Sequence, residues 1–119
     1  MNVNIRKQNN KIYIEMIPGK MMINDEQDAV DLVGLCGENK TNKILFYDEN
    51  LSENFFNLKT KTAGGILQKF TNYNVKAALV LSNDNYIKGR FGEMVLEANK
   101  GGNFGVFIDK KKAEEWLLT

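Results

Sequence analysis

Three short apolar runs, separated by segments with helical periodicity, set the limits on what this chain can fold into. Lys43 to Tyr47, Val75 to Leu81 and Phe104 to Ile108 are near-continuous in apolar residues, the mark of strands covered on both faces. Strands that alternate with helices pair in parallel, because each helix carries the chain back across the sheet in a right-handed crossover. Ahead of them, Val3 to Lys7 and Lys11 to Ile17 read as a hairpin around Gln8-Asn9-Asn10, a turn suited to positive φ. In its second strand Ile12, Ile14 and Met16 share one face, with Tyr13, Glu15 and Ile17 opposite. Pro18-Gly19 ends that strand. The resulting order, β-β-α-β-α-β-α-β-α, predicts one α/β domain over residues 1–119. Its sheet is mixed and five-stranded, with about four helices and Val75 to Leu81 near its centre.

The helices carry recognisable ends and stripes. Asn24 is expected to cap the first, with Asp25 and Glu26 on its dipole and Gln27 at capping-box spacing. Ala29, Val30, Val33 and Cys36 then form the inward face, and Gly37 the left-handed stop. Asp48 to Leu58 is a polar connection with a turn of helix around Ser52 to Phe56. A second long helix is expected from Thr60 to Tyr73, striped by Ala63, Ile66, Leu67, Phe70 and Tyr73. A third is expected over Tyr86 to Asn99, with Ile87, Phe91, Val95 and Ala98 inward and Gly101-Gly102 after it. Asp109 caps a short last helix that buries Ala113, Trp116 and Leu117.

Composition removes several chemistries. The chain has no histidine, which excludes Ser-His and Cys-His catalysis and every His-ligated metal site. Its two serines, Ser52 and Ser82, lie in no nucleophile elbow. Cys36 is the one cysteine, so no intrachain disulfide forms. It falls on an apolar helix face with no base to activate it, which favours packing over nucleophilic work. A net charge of +1 gives no general attraction to nucleic acid or anionic membrane. No apolar run is long enough to span a bilayer, and Met1-Asn2-Val3-Asn4 lacks the apolar stretch of a signal peptide. A cytoplasmic, non-enzymatic protein without cofactor or metal is the expectation.

Two clusters are candidates for a site. Lys59, Thr60, Lys61 and Thr62 precede Gly64-Gly65 at a helix start, where free N–H groups and flanking lysines could hold a phosphate or carboxylate. No P-loop or dinucleotide spacing is present, and the plainer reading is two glycines that allow close helix–sheet packing. Asp48 and Glu49 follow the carboxyl end of a buried strand, where open α/β sheets bind ligands. Two acids without a third ligand read more simply as a solvated loop. Lys110-Lys111-Lys112 has no interleaved aromatics and reads as a solvated helix start. Met21-Met22 suits either core filling or an adaptable contact.

The stretches Glu49-Asn50-Leu51, Phe55 to Thr60, Ala63 to Phe70, Asn72 to Lys76 and Glu97-Ala98-Asn99-Lys100-Gly101 resemble an uncharacterised bacterial family, domain of unknown function 4180. The chain departs from that pattern at Asn57, where an Asp is usual, at Lys61, where a Gly is usual, and at Gly65, where a Glu is usual. Leu81-Ser82-Asn83 replaces a Gly-Asp turn. Losing those acids argues further against an enzyme. The element order is also similar to that of STAS (sulfate-transporter/anti-sigma-factor-antagonist) domains and their SpoIIAA-like relatives. That similarity implies a helix presenting a phosphorylatable hydroxyl to a partner; apart from Ser52, Thr60 and Thr62 are the nearby hydroxyls, and the Asp-Ser-x-Gly motif is absent.

The functional expectation is a non-catalytic, protein-binding regulatory module. Its surface is Asp48, Glu49, Lys59, Thr60, Lys61, Thr62, Gly64 and Gly65. The alternative is a small anionic-ligand or nucleotide-binding domain using the Thr60 to Gly65 helix start. A protein partner is expected, a homodimer is left open, and neither nucleic acid nor membrane is expected.

Overall fold

Asn9 and Asn10 begin the fold by allowing a tight reversal: both take positive φ, 53° and 65°, as a two-residue type I′ loop requires. They join β1 (Val3–Gln8) to β2 (Lys11–Met16), which pair antiparallel with Ile5 opposite Ile14. The computed structural model describes residues 3–82, 92–93 and 101–119. After β2, the Lys20 N–H donates to the Ile17 carbonyl at 3.1 Å. Gly19 holds φ at 75° in that turn, a value glycine adopts without strain.

Helix α1 (Glu26–Glu38) starts one residue later than expected. Asp25, not Asn24, is the cap: its side chain accepts from the Asp28 N–H at 3.0 Å. The Asp28 carboxylate in turn accepts from the Asn24 N–H at 2.8 Å, so acids satisfy two free donors. Gly37 does not stop the helix either. Lys40 takes the left-handed position at φ 56°, with Thr41 N–H to the Cys36 carbonyl at 3.0 Å and Lys40 N–H to the Gly37 carbonyl at 3.1 Å. Those bonds define a Schellman ending. The buried face is Ala29, Leu32, Leu35 and Cys36, while Val30 and Val33 are half-buried.

Beyond α1 come β3 (Lys43–Tyr47), α2 (Glu53–Phe56), α3 (Thr62–Asn72), β4 (Lys76–Val80), β5 (Phe104–Phe107) and α4 (Lys110–Leu117). The sheet is mixed and five-stranded, ordered β1-β2-β3-β4-β5, with β2 through β5 parallel. β4 lies inside the sheet as predicted, although β3 holds the middle place. α3 ends as α1 does, with Asn74 left-handed at φ 57° and Val75 N–H donating to the Phe70 carbonyl at 2.8 Å. This ending turns Tyr73 outward, and it is 56% exposed rather than part of the buried stripe. The helix expected over Tyr86 to Asn99, with Ile87, Phe91, Val95 and Ala98 inward, lies outside the described residues apart from Gly92 and Glu93.

Strand alternation sends side chains into two cores. On one face Ile14, Met16, Ile44, Phe46, Ala77 and Leu79 meet α1 and α3, with Phe46 and Phe70 rings 6.2 Å apart. On the other, Tyr13, Leu45, Ala78 and Val80 meet Ala113, Leu117 and Leu118 in and after α4. Asp109 caps α4 as expected, accepting from the Lys111 N–H at 2.9 Å. Trp116 is half-buried, its ring 5.5 Å from that of Phe107, with the Lys76 ammonium 4.4 Å above it. A Cβ at Gly105 would lie 2.8 Å from Phe107, so only glycine lets these rings lie against β5.

Candidate functional site

The carboxyl ends of the parallel strands carry both the expected site and a second cluster of charges. From β3 the chain enters a 3₁₀ turn, Asp48–Asn50, then α2, then a second 3₁₀ turn, Leu58–Thr60, before α3. Asn50 fixes this connection to the rest of the molecule. It is fully buried, its Oδ1 accepts from the Tyr47 N–H at 2.9 Å, and its Nδ2 donates to the carbonyls of Ile17 and Met21 at 3.0 and 2.9 Å. Its own carbonyl accepts from the Ile23 N–H at 2.7 Å. Every polar group of that side chain is satisfied, so Asn50 costs nothing in unpaired burial and locks two loops together.

Asp48 and Glu49 do not act as a pair. The Asp48 carboxylate accepts from the Ser82 hydroxyl at 2.6 Å and the Ser82 N–H at 3.2 Å, tying the end of β3 to the end of β4. Glu49 is exposed and donates its N–H to Asp48 at 3.0 Å. Lys59, Thr60 and Lys61 are exposed, and Thr62 is half-buried. The Thr60 hydroxyl donates to the carbonyls of Asn54 and Asn57, at 2.6 and 2.8 Å, and accepts from the Thr62 N–H at 3.3 Å. α3 therefore begins at Thr62 rather than Thr60, behind Lys61 in the left-handed conformation at φ 60° with no side-chain cap. Lys61 thus holds a conformation that glycine adopts without strain.

The glycines have separate roles. A Cβ at Gly65 would lie 2.9 Å from the Glu26 side chain, an exposed and flexible group, so the neighbour of this glycine is α1 rather than the sheet. Gly64 is exposed with open space around it. The Glu26 carboxylate reaches Lys69 at 3.9 Å and already occupies the ground beside the first turns of α3. A bound anion there would meet like charge.

The second cluster escaped sequence reasoning. Glu15 is 4% exposed on the α4 face of β2. It accepts from Arg6 Nε at 2.8 Å, from the Tyr47 hydroxyl at 2.5 Å and from Lys110 Nζ at 3.0 Å. Burial alone would push its carboxyl up, but these bonds and the Lys110 charge outweigh it and hold the group at about 2, against an ordinary 4.5. Beside it the Tyr13 hydroxyl donates to Glu114 at 2.7 Å. Burial, then the neighbouring carboxylates, raise both tyrosines above their ordinary range. At the other end of α4, Lys11 donates to the Leu118 carbonyl at 2.5 Å and Lys76 to the Trp116 carbonyl at 2.7 Å. The helix thus has strand lysines at its negative end. Only the alternation of β2 hinted at this arrangement, by putting Tyr13 and Glu15 on one face. The partners come from positions up to 107 residues apart.

Cys36 is buried, and burial pushes its thiol to about 11, well away from a reactive thiolate. Among the described residues no group of three or more His, Cys, Asp or Glu could hold a metal ion. Among them also no helix is long and apolar enough to cross a membrane.

These strands, caps and loop contacts lie almost wholly within a recognised family. The chain belongs to the family described as a domain of unknown function, DUF4180, whose model matches residues 8–117. No curated protein and no solved structure matches it.

Proposed function

We propose that this protein is a non-catalytic, cytoplasmic binding module that engages an acidic segment of a protein partner. The contact surface is the exposed part of the Asp48 to Gly65 connection. One observation carries the reading. Lys59 and Lys61 stand exposed on a connection that Asn50 and the Asp48–Ser82 contact hold in place, and neither has an ion-pair partner among the described residues. Long ordered connections of this kind in compact domains are often functional. Cationic side chains left unpaired on a fixed backbone have no ion pair to break before meeting a carboxylate. The Thr60 hydroxyl is used within the loop, which supports a role in shaping this surface more than one as a freely presented group. The regulatory part of the reading draws on the element order similar to STAS domains, an analogy of fold.

The small anionic-ligand reading is less favoured, because the Glu26 carboxylate lies against Gly65. Affinity capture from the source cells separates the two. The wild-type chain should retain a protein that Lys59→Glu with Lys61→Glu loses, while Lys111→Glu with Lys112→Glu retains it. A thermal-shift response to phosphorylated metabolites, with no protein captured, would establish the ligand reading instead.

A further inference from the structure

We infer that the outer edge of β1 is a homodimer interface, with two copies of the chain pairing their β1 strands antiparallel about Ile5 and extending the sheet to ten strands. This surface is separate from the connection proposed to bind a partner. β1 is the first strand in the sheet, and among the described residues no strand lies beyond it. Such an edge presents main-chain donors and acceptors to any strand of fitting shape.

The side chains decide what fits. Pairing with β2 puts Val3, Ile5 and Lys7 on the α1 face and Asn4, Arg6 and Gln8 on the α4 face. Ile5 is 48% exposed and stands two residues along the same strand face from Val3, so the two form an apolar strip along the edge rather than a lone exposed side chain. Beside Val3 runs a groove of about 600 Å³, lined by Met21, Leu32 and Leu35 and closed on its α1 side by Asp31 and Glu38. The charged residues lining it, Asp31 and Glu38, are both acidic, and α1 carries no basic residue to offset them. On the same face of β1 the one charged residue is Lys7. Asp31 meets only the Gln27 amide, and neither Glu38 nor Lys7 has an ion-pair partner among the described residues.

Symmetry then selects a register. In an antiparallel pair about a two-fold axis perpendicular to the sheet, directly opposed residues lie on the same face, so the axis passes through a residue position. Centring on Arg6 would place two guanidinium groups opposite each other, which is destabilising. Centring on Asn4 would set Val3 opposite Ile5 and move Lys7 away from the groove mouth beside Val3. Centring on Ile5 sets the two Ile5 side chains against each other and Asn4 opposite the partner's Arg6. It also brings each Lys7 opposite the partner's Val3, at the mouth of the groove bearing Asp31 and Glu38. A lysine on an edge strand ordinarily discourages pairing. Here it meets an acidic wall and fixes the register instead. The second copy therefore fits the shape, the apolar patch and the charge of this edge together.

Sedimentation equilibrium on the full chain tests this. The wild type should be dimeric and should weaken as salt rises. Ile5→Lys and Lys7→Glu should each yield monomers that melt cooperatively, because both positions are exposed. The exchange Lys7→Glu with Glu38→Lys and Asp31→Lys should restore the dimer. A wild type that stays monomeric at the highest soluble concentration would overturn the inference. So would a dimer that Ile5→Lys leaves intact, or an edge that takes only an unrelated strand.

Discussion

Two sets of charges lie at the same end of the sheet and behave in opposite ways. Around Glu15, Arg6 and Lys110 are both spent on one buried carboxylate, with the Tyr47 hydroxyl as its third donor. On the connection between β3 and α3, Lys59 and Lys61 are exposed and paired with nothing among the described residues. The first arrangement fastens α4 to the sheet, its two cations already paired with a carboxylate of the chain. The second adds little to stability and leaves its cations unpaired. A charge count treats the two alike, since both contribute lysines to a nearly neutral chain. Partner geometry separates them.

The apolar core sets the scale for breaking this comparison. Phe70 is 2% exposed and packs against Phe46, so Phe70→Ala should destabilise the domain by about 3–5 kcal/mol in denaturant unfolding. The Glu15 cluster comes next. Glu15→Gln keeps the shape but removes the charge that three donors share, and it should cost roughly 2–3 kcal/mol, because Arg6 and Lys110 can turn to solvent. An unchanged melting temperature would show that the cluster is decoration.

Acid sharpens the same point. The folded-state carboxyl is held at about 2 against an ordinary 4.5, so its contribution is complete above the higher value and disappears as pH falls toward the lower. The stability gap between wild type and Glu15→Gln should therefore narrow from about pH 4.5 downward. A gap that stays constant through that window would assign the effect to packing. Cys36→Ala should cost only roughly 1 kcal/mol of packing and leave partner capture intact. Lost capture by a stably folded Cys36→Ser variant would give the thiol a role.

How much of this was legible in the sequence follows from how far each signal travels along the chain. The Asn9-Asn10 turn, the Asp109 cap and the Phe70 stripe depend on neighbours within a few residues, and local spacing shows them. Helix ends were harder. Gly37 and Asn24 have the right chemistry, yet Lys40 and Asp25 hold the positions, because the Schellman and capping bonds form wherever the buried face ends. The Glu15 cluster joins residues 6, 15, 47 and 110 through the fold, and no periodicity connects them. Among the expected site residues, Asp48 proved to be a strand clamp and Gly65 a helix contact. Thr60 shapes its own loop, which leaves Lys59, Lys61 and Glu49 as the expected charged groups that are exposed and without a side-chain partner among the described residues.

The central claim is that the two lysines serve recognition rather than stability, and one paired measurement addresses it. Lys59→Glu with Lys61→Glu should move the unfolding free energy by no more than about 0.5 kcal/mol per site, while the same protein no longer retains the partner captured by wild type. Lys111→Glu with Lys112→Glu, an equal charge change elsewhere, should keep both. If the control loses the partner to the same extent, or the double variant retains it, the surface assigned here is wrong.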